Sequence, residues 1–175
     1  MAEAIPFKHV KLICGIIASR EDIFQTIRTK LEKHWGEIDG ESFCYPFDFT
    51  DYYEKQMGKG LKRKFYSFKD LIKPDGLARL KILTNRIEKE MKNSRKSELR
   101  VVNIDPGYLT ASALILATAK DFAHRVPLEK GIYAHIEFLF GKKEVRLLEW
   151  TYPDYRNKKI QDFFLDVRKK YLKQI

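Results

Sequence analysis

From Val10 to Ala18 the chain carries one polar residue, Lys11, in a run of nine, the pattern of a strand buried on both faces. Ser19 follows, placed to cap a helix with Asp22 three residues on. Ile23, Phe24, Ile27, Leu31 and Trp35 then recur at helical spacing until Gly36. Glu41 to Phe49 alternates as a second strand. Leu61 to Phe68, with Leu61, Arg63, Phe65 and Ser67 opposing Lys62, Lys64, Tyr66 and Phe68, predicts a third. Pro74-Asp75-Gly76 opens a second helix with Leu77, Leu80, Leu83, Ile87 and Met91 on one face, and the basic stretch Lys89 to Arg100 ends it in an exposed loop. Leu99 to Ile104 predicts a fourth strand, stopped by the turn-forming Asp105-Pro106-Gly107.

The resulting order, β-α-β-β-α-β, is the split βαβ pattern and predicts an α+β fold with a ferredoxin-like core, two helices on one face of a largely antiparallel sheet. Ala113 to Ala119 is ambiguous between strand and helix and is read as strand. Gly131 to Phe140 alternates, with Tyr133, His135, Glu137 and Leu139 opposing Ile132, Ala134, Ile136 and Phe138. Gly141-Lys142-Lys143 turns it into Glu144 to Trp150 as a C-terminal β-hairpin. Ile160, Phe163, Phe164, Val167 and Tyr171 mark a final amphipathic helix. No linker, repeat or low-complexity stretch interrupts residues 1–175, which implies a single α+β domain.

Composition narrows the class. A chain of 175 residues, 44% hydrophobic and 13% aromatic, can bury a core without disulfide or metal. Cys14 and Cys44 lie in apolar or strand-like surroundings and read as buried free thiols, and no Cys/His spacing matches a zinc site. The opening Met-Ala-Glu-Ala-Ile-Pro lacks a signal-peptide pattern, and the runs Leu12 to Ala18 and Ala111 to Ala119 are too short to cross a bilayer, so the expectation is a cytoplasmic protein without a membrane partner. A net charge of +10 favours anionic partners: an anionic small molecule, a nucleotide or RNA. The same wealth of charge also serves stability in proteins of hot environments.

Four polar clusters could carry chemistry. In the first, Phe47-Asp48-Phe49-Thr50-Asp51-Tyr52-Tyr53-Glu54 precedes the basic Lys59-Gly60-Leu61-Lys62-Arg63-Lys64. Its acids suit a hard cation such as magnesium and its bases suit phosphate; a short amphipathic helix packing its tyrosines is the plainer alternative. The second, Asn103 to Thr110, contains the Asp-Pro-Gly turn, which could offer amides to an anion or be an ordinary turn. The third joins Lys120, His124 and Arg125 to His135 and Glu137, which alternation places on one face of a strand. A face wetted by solvent has the same pattern. The fourth, Trp150-Thr151-Tyr152-Pro153-Asp154-Tyr155-Arg156, could stack a base, or could be a corner in which Asp154 caps the last helix. No Walker loop or dinucleotide fingerprint occurs.

Phe49-Thr50-Asp51-Tyr52-Tyr53 with Met57-Gly58, Thr84-Asn85, Asn103-Ile104-Asp105-Pro106-Gly107-Tyr108-Leu109 and Thr151-Tyr152-Pro153-Asp154-Tyr155 together resemble one prokaryotic family of about this length, a domain of unknown function. Some of its members carry the genome label "GTP-binding protein". The chain lacks the phosphate loop and the Asn-Lys-x-Asp motif of ordinary GTPases, so nucleotide binding would need a different site.

Three classes of function follow. The first is a small enzyme or binding protein for a phosphorylated ligand. Asp51, Glu54, Asp105, His124 and Glu137 would be its acid-base or metal-holding groups; Tyr53, Arg63, Tyr108, Lys120, Arg125, Tyr152 and Tyr155 would hold the ligand. The second is an RNA-binding module using Lys62, Arg63, Lys64 and the basic loop after the second helix, with steep salt dependence. The third is a non-catalytic structural or partner-binding domain.

Overall fold

The computed structural model describes residues 3–50 and 52–175. Strand β1, Val10–Ala18, is buried along its whole length, as its unbroken apolar run requires. It leads into helix α1, Glu21–Trp35. The helix starts without Ser19 as cap: Arg20 holds that position with no side-chain cap, and Glu21 and Asp22 supply negative charge to the first turn instead. Gly36, at φ 83°, closes it.

The predicted second strand is two short pieces, β2 (Ile38–Glu41) and β3 (Tyr45–Pro46), both pairing with β4, Lys62–Ile72. Between them the Ser42 side chain stands in for a backbone acceptor, Phe65 N–H donating to Ser42 Oγ at 2.9 Å. Segment 47–61 contains one turn of helix, α2, Glu54–Met57. Helix α3, Leu77–Ser94, follows a 3₁₀ turn at Pro74–Gly76. Strand β5 is Val102–Leu109 and runs straight through Asp105-Pro106-Gly107, where a stop was expected. Strands β6 (Ala113–Thr118), β7 (Arg125–Pro127), β8 (Tyr133–Phe140) and β9 (Val145–Leu147) precede the last helix, α4, Lys158–Leu172.

Among the described residues the nine strands form one open sheet whose pairings are antiparallel, in the order β2-β4-β1-β5-β6-β8-β7, with β3 beside β4 and β9 beside β8, the α+β arrangement expected. Helices α1 and α3 cover one face through Leu12, Cys14, Ile16, Phe24, Leu31, Phe68, Ile87 and Ile104. Helix α4 covers the other through Ile13, Phe65, Leu114, Phe138, Phe164 and Tyr171. Two layers of helix on a central sheet explain why β1 has no polar face. Cys14 is a buried free thiol and Cys44 a half-buried one. Among the described residues no helix is long and apolar enough to cross a membrane.

Candidate functional site

Between β5 and β6 the sheet comes apart. Strand β5 is paired to β1 along its whole length, but to β6 only through Gly107, Tyr108 and Leu109. A cleft of about 700 Å³ occupies the divergence, walled by Asn103 and Asp105, the end of β6 from Leu116 to Lys120, α3, the aromatic segment after β3, and Tyr152-Pro153-Asp154.

The sequence of β5 produces this split. Gly107 is where the strands approach closely: a Cβ there would run into the Ile115 carbonyl oxygen and come within 2.8 Å of the Leu116 side chain. Toward the cleft, the Ile104 amide and carbonyl have no strand partner. Side chains of α3 replace it: Ile104 N–H donates to Glu88 Oε1 at 2.7 Å, and Lys81 Nζ donates to Ile104 O at 2.8 Å. Two residues on, strand alternation turns the Pro106 nitrogen to the same side, where it has no hydrogen to offer and needs no acceptor. Proline is tolerated in this interior strand because its ladder is already open there.

Lys81, Thr84 and Glu88 are therefore buried on the α3 stripe that also carries Leu77, Ile87 and Met91, while the expected Leu80 and Leu83 are half-buried. A signal existed: 77, 81, 84, 88 and 91 keep helical spacing, with three polar residues among the five. Glu88 Oε2 also accepts from Arg100 at 2.6 Å. Burial pushes the Glu88 carboxyl up, against the pull of Lys81 and Arg100.

At the inner end of the cleft lies Arg63, 4% exposed. Nη2 donates to Tyr155 Oη at 3.0 Å, and the guanidinium stands 4.7 Å from the centre of the Phe65 ring. Asp105 Oδ2 is 3.8 Å from Nη1 and Asp154 Oδ2 is 3.5 Å from Nε. Burial raises the Asp154 carboxyl despite Arg63. At Asp105 burial pushes the same way, but the charges of Lys81, 3.0 Å away, and of Arg63 outweigh it, and the carboxyl is held below its usual range.

Along one wall runs a chain of titratable groups. Glu137 Oε2 is 2.8 Å from His135 Nε2, and Glu137 Oε1 accepts from the Tyr152 amide at 2.7 Å. With Nε2–H donating to the carboxylate, neutral His135 presents Nδ1 as an acceptor, to His124 Nε2 at 3.0 Å and Arg125 Nε at 3.4 Å. His135 stacks on Tyr152, and His124 on Trp150 with ring centres 4.6 Å apart. Burial raises the Glu137 carboxyl. Burial, then His135 and Arg125, lower His124.

A β-bulge makes this wall. Ile115 faces Ile136 while Leu114 faces Phe138, so Glu137 is the extra residue on β8. His135 and Glu137 share a face as alternation predicted. It is the buried face, 1% and 0% exposed, while apolar Ile136 on the opposite face is 40% exposed. Hydrophobicity alone misassigns this part of the strand, and past the bulge the expected alternation breaks: Phe138 is buried and Leu139, expected to share the face of His135, is exposed.

The structure brings Tyr53, Arg63, Asp105, Lys120 and Tyr152 to the cleft wall. Glu137, His124, Arg125 and Tyr155 stand directly behind it through the contacts just given, Arg125 also donating to Tyr152 Oη at 2.8 Å. Glu54 is exposed at the start of α2 and does not line the cleft. Tyr108 is also absent from its lining and faces a separate groove beside Phe7 and Tyr171, because the strand continues where a turn was expected. Asp51 lies outside the described residues. Among the described residues no group of three or more His, Cys, Asp or Glu side chains is placed to hold a metal ion. Asp154 does not cap α4: Asn157 does, accepting from Lys159 N–H at 2.9 Å. His135 of the third cluster also lines the cleft, and Lys81, Glu88, Lys89, Lys92 and Arg100, which none of the four sequence clusters included, complete the surroundings.

The basic run Lys62-Arg63-Lys64 is no surface patch. Arg63 and Lys64 are both buried, Lys64 on Glu41 at 2.7 Å, and in the loop after α3 Arg95 and Arg100 are paired with Asp22 and Glu88. Alternation put Arg63 on the inner face; the charges around it made that tolerable.

Comparison with known proteins adds the family and nothing more specific. No curated protein and no solved structure matches the chain. The model described as "Domain of unknown function (DUF4416)" matches residues 8–171, and the chain belongs to that family.

Proposed function

We propose that the domain binds a phosphorylated small molecule of nucleotide size in the cleft between β5 and β6, with the His124–His135–Glu137 chain as an acid-base relay at its wall. The scaffold for this is a ferredoxin-like core, in which β2-β4-β1-β5 with α1 and α3 follow the split βαβ order. The observation that carries the proposal is an imbalance of charge. Among the described residues, each carboxylate lining the cleft has a cation beside it: Asp105 has Lys81, Glu88 has Arg100, Asp154 has Arg63. Among the described residues no carboxylate stands within ion-pair distance of Lys89, Lys92 or Lys120, which line the same cleft and are exposed.

Three ammonium groups around one concavity, without a carboxylate partner among the described residues, raise the local concentration of a phosphate. Lys120 Nζ sits 3.7 Å from the Tyr52 ring centre, which keeps the cation beside an aromatic wall of Phe49, Tyr52 and Tyr53. A volume of about 700 Å³ falls within the roughly 300–1,000 Å³ of small-molecule sites.

The test is a thermal-shift and calorimetry screen of nucleotides and sugar phosphates, with and without magnesium, on the wild type and on Lys89→Ala/Lys92→Ala/Lys120→Ala. A ligand that binds the folded form alone raises its melting temperature. The expected result is a stabilising phosphorylated compound whose affinity drops at least tenfold in the triple variant. No stabilisation by any compound at millimolar concentration, or equal binding by the triple variant, overturns the proposal.

A further inference from the structure

The two ends of the cleft differ in charge, and that difference identifies what the ligand carries besides phosphate. We infer that the inner end, at Arg63 and Asp105, binds a neutral hydroxylated group, so that the ligand is a sugar phosphate or nucleoside phosphate lying with its phosphate at Lys89, Lys92 and Lys120 and its sugar hydroxyls inward. This rests on the phosphate site just proposed.

Arg63 is a buried cation with too few partners. Of its five N–H donors, one has an acceptor at hydrogen-bonding distance among the described residues, the Tyr155 hydroxyl. Nε is buried without a partner, and so is Asp154 Oδ2, 3.5 Å away. Buried donors left unpaired are rare enough in folded proteins to call for an explanation. Nη1 stands 3.8 Å from Asp105 Oδ2, too far for a direct hydrogen bond. An oxygen atom placed about 2.8 Å from both fits across that gap, accepting from Nη1 and donating its own hydrogen to Asp105.

The charge around that gap is already balanced, Arg63 and Lys81 against Asp105 and Asp154. A phosphate entering there would meet two carboxylates away from water, an arrangement with a large desolvation and repulsion cost. A carboxylate would meet the same two. A hydroxyl donates and accepts at once, carries no charge, and gives Arg63 Nη1 an acceptor and Asp105 one more donor. A second, vicinal hydroxyl would reach the other edge of Asp105, whose Oδ1 accepts from Lys81 and whose Oδ2 accepts from Asn103 Nδ2 at 2.6 Å. The mouth is the opposite case, with cations in excess and open to solvent, and takes the charged end.

The experiment measures calorimetric affinities of the wild-type protein for inorganic phosphate, ribose 5-phosphate, glucose 6-phosphate and adenosine 5′-monophosphate. Each ester is paired with its deoxy counterpart: 2-deoxyribose 5-phosphate, 2-deoxyglucose 6-phosphate and 2′,3′-dideoxyadenosine 5′-monophosphate. At least one ester should bind ten times more tightly than inorganic phosphate, and its deoxy counterpart should lose about tenfold, the worth of a hydrogen bond to a charged group. Asp105→Asn should weaken that ester by a similar factor and leave inorganic phosphate unchanged, whereas Lys89→Ala/Lys92→Ala should weaken both. The deoxy series needs no variant, so the inference stays testable if Asp105→Asn does not fold. Binding of phosphate and esters alike, with no deoxy discrimination, sinks the inner hydroxyl site but leaves the phosphate site standing. Absence of binding by every phosphorylated probe sinks both.

Discussion

Gly15 of β1 and Arg63 of β4 share one volume. A Cβ on Gly15 would stand 2.6 Å from Arg63 Nη2 and 2.9 Å from the Phe65 ring, so the guanidinium lies over the sheet in space that any other residue would fill. Gly15→Ala should push Arg63 off Tyr155 at a cost of about 2 kcal/mol, lowering the melting temperature by roughly 4–8 °C. Ligand affinity should fall with it, which calorimetry on the folded variant would show. An unchanged melting curve would mean that the guanidinium has room elsewhere.

Gly107 should be less forgiving. At Gly15 the obstructing atom is the end of a flexible side chain; at Gly107 a Cβ meets the Ile115 carbonyl oxygen and cannot be relieved without moving a strand. Gly107→Ala should therefore destabilise more than Gly15→Ala, by about 3 kcal/mol or more in chemical denaturation. The reverse ranking would contradict the close approach of β5 and β6.

Glu88 substitutes for a missing strand. Glu88→Ala leaves the Ile104 amide without an acceptor and Arg100 without its 2.6 Å partner. A loss of about 2–4 kcal/mol is expected, with faster amide hydrogen exchange concentrated at residues 102–105. Protection of those amides equal to the wild type would show that another group closes the edge.

Asp105 sets part of the acid limit of stability. Burial would raise its carboxyl, but Lys81 and Arg63 more than reverse that, so the folded value lies below the unfolded one. A depressed carboxylate contributes stability that is whole above the unfolded value, about 4, and is lost as pH falls through the folded value. Asp105→Asn should thus flatten the stability profile below about pH 4 and lower it on the plateau above. A variant whose acid limb runs parallel to the wild type would remove Asp105 from that role.

His124 should titrate below an ordinary histidine, since burial, His135 and Arg125 all disfavour its charged form. Proton NMR of the imidazole should show that depressed midpoint, and Arg125→Gln should move it back upward. A midpoint that is normal, or that ignores Arg125, would break the relay at its outer member.

Much of the secondary structure is legible because burial leaves a period behind it. Strand β1 and helices α1 and α4 follow from apolar spacing, and the β8–β9 hairpin from the Gly141-Lys142-Lys143 turn, with β9 shorter than the expected Glu144 to Trp150. Pattern reading fails where polar residues do interior work. Lys81 and Glu88 keep helical spacing with Leu77 and Met91 but look like a solvated face. His135 and Glu137 alternate correctly, yet a bulge and the Tyr152 segment bury them. Asp105-Pro106-Gly107 has the composition of a turn, and only the neighbouring β1 ladder keeps it extended.

By itself the sequence determined the segments with a long apolar period, β1, α1, α3 and α4, since repeating apolar positions depend only on local geometry and on the need to hide from water. The bounds of β5, the split of the second strand and the short β7 were not legible in the sequence. It also carried the excess of positive charge and most of the polar residues around the cleft. The tertiary structure alone decided which of those charges cancel, because pairing depends on distances between segments far apart in the chain. Arg63 and Asp154, 91 positions apart by number, meet only once the sheet has formed. The cleft itself is a gap in a ladder, and a gap exists only after the strands on either side have found their partners.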